Sequence, residues 1–122
     1  WEAHCEFRTG DASRRSHSRR TGAKPMKIVR LLRPAEQEML DAVAYYDLQV
    51  PGLGDAFLDK VGSAVEDIAE NPERWPVIRP NVRRRLIHRF PYALLYRVDA
   101  DEVVVVAVAH LHRHPAYWIG RI

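Results

Sequence analysis

The stretch VAHLHRHPAYW (108–118) concentrates side chains that can exchange protons, carry positive charge or stack on rings. Imidazole titrates near neutral pH, and a guanidinium can stabilise negative charge that develops on a phosphate. The stretch overlaps the apolar run VVVVAVA (103–109), so His110 lies where a buried strand would emerge. We therefore predict that His110, Arg113 and Tyr117 form a catalytic or target-contacting edge. The alternatives are a histidine that only bonds the backbone at a strand end and an aromatic residue that only pins the C-terminus.

A metal site is the weaker hypothesis for the same stretch. His110, His112 and His114 alternate, and on an extended strand they would share one face, as metal ligands can. However, no carboxylate or cysteine lies near in sequence to complete a ligand set, and Pro115 is expected to end the strand. The only cysteine, Cys5, supports neither a disulfide framework nor a cysteine-based metal site. We expect no metal and no cofactor.

A second group of candidate residues lies in RRRLIHRFPY (83–92). Guanidinium groups suit phosphates, and aromatic rings can stack on bases. The sequence therefore predicts a surface for target or nucleic-acid contacts that consists of Arg83, Arg84, Arg85, Arg89 and Tyr92, with Tyr96 and Tyr117 as further stacking candidates. The alternative is a solvated strand face or salt bridges to acidic helices. Because alternate strand residues face opposite sides, these arginines cannot all face the helices.

Charge is separated along the chain. Residues 36–73 carry ten acidic residues and one basic residue, whereas residues 74–122 carry nine arginines and three acidic residues. This asymmetry indicates a basic face for an anionic or acidic partner.

The periodicity of apolar residues predicts an α+β fold. Residues 34–48 form an apolar stripe typical of a helix, and a second helix is expected to begin near Asp55 and to end before NPERWP (71–76). Strands are predicted at 27–32, 82–90, 92–98 and 103–111. The order is β-α-α-β-β-β, with two N-terminal helices packed on a small antiparallel sheet. The first strand is expected at an edge or beside the last strand.

Length and composition limit the class of protein. The chain has 122 residues, enough for one domain, and contains no apolar run of the roughly 18 residues that span a membrane. We expect a cytoplasmic protein without a membrane partner. Residues 1–25 hold six Lys or Arg and three Asp or Glu with no apolar periodicity, which predicts a disordered basic leader outside the native domain. The working domain is predicted at 26–122.

Four segments in this order resemble the RelE/ParE superfamily of bacterial toxins from type II toxin–antitoxin pairs. The segments are AVAYYDLQVPGLGDAFLDKV (42–61), AENPERWP (69–76), RRRLIHRFPYALLYRV (83–98) and VVVVAVAHLHRHPAYW (103–118). The resemblance implies the β-α-α-β-β-β fold, a cytoplasmic location and a cognate antitoxin. The flexible segment of that antitoxin would wrap around the helices and the sheet and cover the functional face.

The resemblance implies two possible targets. RelE-like members cut mRNA on the ribosome without a metal, and the matching positions here are Arg84, Arg85, Arg113 and Tyr117. Cleaving members usually carry an arginine directly after the tyrosine of the third strand, where this chain has Ala93. ParE-like members poison DNA gyrase by binding, and HLHRHP (110–115) resembles their strand ending. Three classes stay open: a gyrase poison, a metal-independent mRNA endoribonuclease, and an inactive RNA- or protein-binding member of the fold.

Overall fold

Two helices pack on one face of a six-stranded, mostly antiparallel sheet. In this computed structural model the described residues are 6–7, 27–113 and 117–121. The predicted leader (1–25) lies outside the described residues except for one short strand. The elements are β1 (Glu6–Phe7), β2 (Ile28–Leu31), α1 (Arg33–Gln49), α2 (Leu53–Glu70), β3 (Val77–Arg79), β4 (Val82–Leu86), β5 (Tyr92–Val98), β6 (Glu102–His110) and a final 3₁₀ turn (Ile119–Arg121).

The strand order in the sheet is β1-β2-β6-β5-β4-β3. Strands β3 to β6 form an antiparallel meander, and β2 runs parallel to β6 with Leu31 opposite Val105. The predicted α+β fold is therefore confirmed, and the first predicted strand lies beside the last one. Strand β1 adds to the free edge of β2 through Glu6 opposite Arg30.

The two helices form a closely crossing pair. Pro34 lies in the first turn of α1, where its missing N–H leaves no hydrogen bond unmade. The helices are in close contact at Gly54, where a Cβ atom would lie 2.6 Å from the carbonyl oxygen of Val43. The backbone N–H of Gly54 donates to the Asp47 carboxylate at 2.8 Å, so α1 supplies a hydrogen-bond acceptor to the first turn of α2.

The hydrophobic core has two layers because β6 is buried on both faces. On the helix side, Val103, Val105 and Val108 pack with α1 and α2, and on the outer side Val104 and Ala107 pack with Trp118. Side chains along β6 do not simply alternate between the two faces of the sheet, because β6 has a bulge opposite Leu95 and Tyr96. Because of this bulge, the side chain of Val108 faces the helices.

Two predictions about strands were wrong. The strand predicted at 82–90 ends at Leu86, because the chain turns between Ile87 and Tyr92 with Arg89 at a φ of 74°. Strand β3 (Val77–Arg79) was not predicted at all. It forms a hairpin with β4 through a turn at Pro80 and Asn81, in which Asn81 has a φ of 67°.

Candidate functional site

A groove of about 310 Å³ lies on the sheet face that points away from the helices. The β3–β4 hairpin forms one side, and the described residues Leu111, Arg113, Tyr117 and Trp118 after β6 form the other. The described residues that line it are Ile78, Arg79, Arg84, Ala93, Leu95, Ala109, His110, Leu111, Arg113, Tyr117 and Trp118. No acidic residue is among these lining residues. We refer to this feature as the outer groove.

Three guanidinium groups surround the outer groove. Arg79 and Arg84 enter it from β3 and β4, and Arg113 enters from the opposite side. Within the described part of the chain, neither Arg79 nor Arg84 has a side-chain hydrogen bond or an ion pair. The Arg84 backbone N–H donates to the Pro76 carbonyl oxygen at 3.0 Å, which fixes this part of the hairpin. The groove is therefore a cationic surface without a carboxylate in its lining.

The floor of the outer groove is aliphatic. Ala93, Leu95 and Ala109 are buried beneath it, and the exposed side chains of Ile78 and Leu111 form its margins. Ala93 is 1% exposed. At the position where, by the resemblance, mRNA-cleaving toxins usually carry an arginine, the groove floor thus has a methyl group.

Tyr117 lies at the side of the outer groove, and two guanidinium groups stack on its ring. The Arg113 guanidinium lies 4.1 Å from the ring centroid, and that of Arg121 lies 5.1 Å from it. Burial raises the pKa of the Tyr117 phenol, and the nearby Glu38 carboxylate raises this pKa further. The hydroxyl has no well-aligned hydrogen bond within the described residues. The ring of Tyr117 thus packs against both guanidinium groups.

Glu38 of α1 holds the C-terminal segment to the edge of β6. Its Oε1 atom accepts from the backbone N–H of Val108 at 3.0 Å, and both its oxygens accept from Arg121 at 3.0 Å. Arg121 also donates to the Val106 carbonyl oxygen at 3.0 Å. These side chains satisfy backbone groups of β6 at the point where β2 has ended. The Nη1 atom of Arg113 lies farther from this carboxylate, at 3.9 Å from the Glu38 Oε2 atom.

His110 lies at the end of β6, between the outer groove and a second cleft. Its ring is 5.0 Å from that of Tyr92 on the adjacent strand, and its Nδ1 atom accepts from the His112 N–H at 3.0 Å. Tyr92 faces the helices and packs against Phe57 at 5.1 Å. The second cleft, about 280 Å³, lies between α1 and this strand end, and Tyr92, His110 and Arg113 are among its lining residues.

The structure divides the predicted arginine cluster. Arg83 points to the helix side and donates to the carbonyl oxygens of Glu73 and Trp75 at 3.1 and 2.7 Å. Arg85, on the same side, pairs with Asp67 at 2.6 Å and stacks on Trp75 at 4.5 Å. Of the three adjacent arginines 83–85, Arg84 alone lines the outer groove.

Three other residues that were predicted to contact a target also lie outside the outer groove. Arg89 is exposed in the turn after β4, outside the groove lining. Tyr92 lies on the helix side of the sheet, and Tyr96 is fully buried with its hydroxyl donating to the Pro72 carbonyl oxygen at 2.6 Å. The structure does bring His110, Arg113, Tyr117 and Arg84 together along one groove.

Sequence reasoning missed three residues of this region: Arg79, Glu38 and Arg121. A signal for Arg79 was present, because a Pro-Asn turn between VIR (77–79) and VRRRL (82–86) is typical of a hairpin. Glu38 and Arg121 are 83 residues apart, and only the folded chain brings them together.

The described residues contain no group of three His, Cys, Asp or Glu side chains that could hold a metal ion. The rings of His110 and His112 lie 5.2 Å apart. His114, the third histidine of the alternating set, lies outside the described residues.

Comparison with known proteins identifies the family. The model of the family described as the ParE toxin of type II toxin–antitoxin systems, parDE, matches residues 29–115. The chain belongs to the ParE toxin family. This match covers both helices, strands β3 to β6 and the arginines of the outer groove.

A solved structure supports the ParE fold. A chain of the chromosomal ParDE toxin–antitoxin system from P. aeruginosa is similar, with a TM-score of 0.60 and 16% sequence identity. The similarity covers 67% of this chain and 92% of the P. aeruginosa chain. No curated protein sequence gives a significant match. Among the described residues of this ParE family member, no helix is both long and apolar enough to cross a membrane.

Proposed function

We propose that this ParE family member is the toxin of a type II toxin–antitoxin pair that arrests growth by binding DNA gyrase and is neutralised by a cognate antitoxin. The choice of gyrase over mRNA rests on one observation, the methyl group of Ala93 on the floor of the outer groove. Members of the superfamily that cleave mRNA usually carry a further guanidinium there, and such a group can stabilise the charge that develops on the phosphate. A site that only binds a protein does not need that group.

The state of Tyr117 supports the same choice. Burial raises the pKa of its phenol still further above neutral, and two guanidiniums lie against its ring. A general base must be able to accept a proton at the working pH. Tyr117 is thus poorly suited as a base in RNA cleavage, and His110 is the other candidate base among the described lining residues.

Exposed apolar side chains on and directly after α1 support an antitoxin partner. Leu40, Tyr45, Leu48 and Val50 are exposed large apolar residues along or directly after this helix, and Leu48 is 85% exposed. Exposed apolar patches on small proteins mark surfaces that a partner covers. The flexible segment of an antitoxin would remove this patch from water.

The second candidate function is mRNA cleavage. It is favoured by the convergence of Arg84, His110 and Arg113 on one groove, since these are the residue types that bind phosphate and transfer protons. An inactive RNA- or protein-binding member is the third.

Inducible expression of the full chain in a bacterial host, with and without the neighbouring upstream reading frame, tests the proposal. We expect growth arrest that the neighbour relieves, together with SOS induction, filamentous cells and covalent gyrase–DNA complexes. Codon-specific mRNA cuts on ribosomes, with DNA replication unaffected at first, would instead support the endonuclease. Absence of arrest from a soluble, folded chain would leave the inactive class.

A further inference from the structure

The chemistry of the outer groove points to the kind of segment that it binds. We propose that the outer groove binds a segment of the target protein that carries carboxylate and aliphatic side chains, and not a nucleic-acid strand. This inference rests on the proposed function and specifies how the toxin recognises its target.

The arginines of the outer groove are suited to bind carboxylates. Arg79 and Arg84 have no ion-pair partner within the described residues, and Arg113 is 54% exposed beyond its long contact to Glu38. A guanidinium offers a planar fork of N–H donors that pairs with a carboxylate through two hydrogen bonds. Three such groups around one concave surface can therefore pair with two or three acidic side chains of one segment.

The floor of the groove matches aliphatic side chains. Ile78 and Leu111 at its margins are 37% and 48% exposed, and the buried Leu95 is one of the floor residues. Burial of aliphatic surface is the usual source of affinity at the centre of a protein interface. The combination of an aliphatic floor and a cationic margin therefore suits a segment in which acidic residues flank a leucine-like residue.

The described lining of the groove offers few of the aromatic faces that bind single-stranded nucleic acid. Such sites stack bases on accessible aromatic rings. In this groove Trp118 is 2% exposed, and two guanidiniums lie against the Tyr117 ring. Tyr92 faces the opposite side of the sheet. Phosphates could be attracted to the arginines, but among the described lining residues the half-buried His110 ring is the one aromatic ring left for a base.

Binding measurements with the purified full chain distinguish the two kinds of partner. The probes are the purified gyrase A and B subunits, measured separately by biolayer interferometry, and a single-stranded RNA of about 12 nucleotides, measured by fluorescence anisotropy. We expect binding to one gyrase subunit that weakens between about 50 and about 300 mM salt, because salt screens the charges. We expect the RNA to bind at least about tenfold more weakly.

Variants locate the binding surface. Arg79→Glu and Arg84→Glu are each expected to weaken gyrase binding at least about tenfold through charge repulsion, and Arg84→Lys by less. Leu111→Ser is expected to weaken binding several-fold with little change in its salt dependence. Arg74→Glu is the matched control, because it makes the same charge change outside the groove, and it is expected to alter binding by less than about twofold. Circular dichroism confirms that each variant is folded.

Two outcomes would overturn this inference, and the first of them leaves the proposed function intact. If the expressed chain arrests growth with SOS induction but the Arg79→Glu and Arg84→Glu variants bind gyrase as tightly as the original chain, the target uses another surface. If the RNA binds more tightly than either gyrase subunit and Arg84→Glu abolishes that binding, the groove is a nucleic-acid site. Failure of the proposed function is distinct, because the original chain would then either fail to arrest growth or arrest it with codon-specific mRNA cuts and without SOS induction.

Discussion

Glu38 and Arg121 join the helical layer to the end of the chain through two hydrogen bonds of 3.0 Å each. Glu38 belongs to α1, and Arg121 belongs to the final 3₁₀ turn. Between them in sequence lie the whole meander and Arg113 of the outer groove. The position of one wall of the groove therefore depends on a carboxylate from the helical layer.

We predict that Glu38→Ala lowers the free energy of unfolding by about 2 kcal/mol, because it leaves Arg121 and the Val108 N–H without their acceptor. Glu38→Gln should cost less, since its amide oxygen can still accept from Val108. Hydrogen exchange of residues 111–122 should become faster in both variants. Asp41→Asn is the control, because Asp41 is an exposed residue of the same helix, and its effect should stay within about 0.5 kcal/mol.

A double-mutant cycle isolates this contact. Glu38→Ala, Arg121→Ala and the double variant should give a coupling energy of about 1–2 kcal/mol in chemical denaturation. The pair is partly shielded, with side chains 14% and 20% exposed, so this energy should exceed that of a surface ion pair. A coupling energy near zero would mean that the two residues contribute independently and that Glu38 does not hold the C-terminal segment.

The fall in the free energy of unfolding at alkaline pH should depend on two tyrosines. Burial raises the pKa of both Tyr96 and Tyr117 above the ordinary value of about 10. Above about pH 10 the unfolded chain therefore loses phenolic protons that the folded chain retains, and the free energy of unfolding falls as pH rises. Thermal unfolding between pH 8 and pH 11 should show this fall, and either Tyr→Phe variant should reduce its slope.

The same two variants should differ at neutral pH. Tyr96→Phe removes a buried hydrogen bond to Pro72 and should cost about 1 kcal/mol. Tyr117→Phe removes a buried hydroxyl that lacks a well-aligned partner in the described residues, and should be neutral or stabilising by up to about 1 kcal/mol. A larger loss for Tyr117→Phe than for Tyr96→Phe would contradict this assignment of the two hydroxyls.

Local patterns predicted most elements of the fold but not their edges. The apolar periods located α1, α2, β5 and β6 to within a few residues, because each buries a long face or, in β6, two faces. Strand β3 was not predicted because it has only three residues, which are all exposed and lie between two prolines. The predicted end of β4 was wrong because Arg89 adopts a left-handed conformation that residue type did not indicate.

The candidate site was predictable only in part, for a reason of geometry. Strand alternation implied that Arg84 faces away from Arg83 and Arg85, but it could not show which side the helices cover. The bulge in β6 changes the facing of every residue after it, including His110. The contact of Glu38 with Arg121 depends on the packing of α1 over the sheet, which no local pattern encodes.

The crossing of the two helices gives a prediction with an internal control. Gly54→Ala should lower the free energy of unfolding by about 2 kcal/mol, because its Cβ would lie 2.6 Å from the Val43 carbonyl oxygen and 2.8 Å from the Asp47 carboxylate. Gly62→Ala places the same methyl group in open space on the same helix and should be stabilising by about 0.5–1 kcal/mol. Urea denaturation measures both, and equal effects would show that the helices do not cross closely at Gly54.

The arginine triplet gives the last prediction, which separates arginines that stabilise the fold from the one that is available to a partner. Arg85→Ala should lower the free energy of unfolding by about 1–2 kcal/mol, because it removes the ion pair to Asp67 and the stacking on Trp75. Arg84→Ala should change it by less than about 0.5 kcal/mol, since Arg84 is exposed and has no side-chain partner within the described residues. Chemical denaturation of both variants under the same conditions measures the difference. Equal losses would show that Arg84 also stabilises the fold. Its guanidinium would then not be available to a partner in the outer groove.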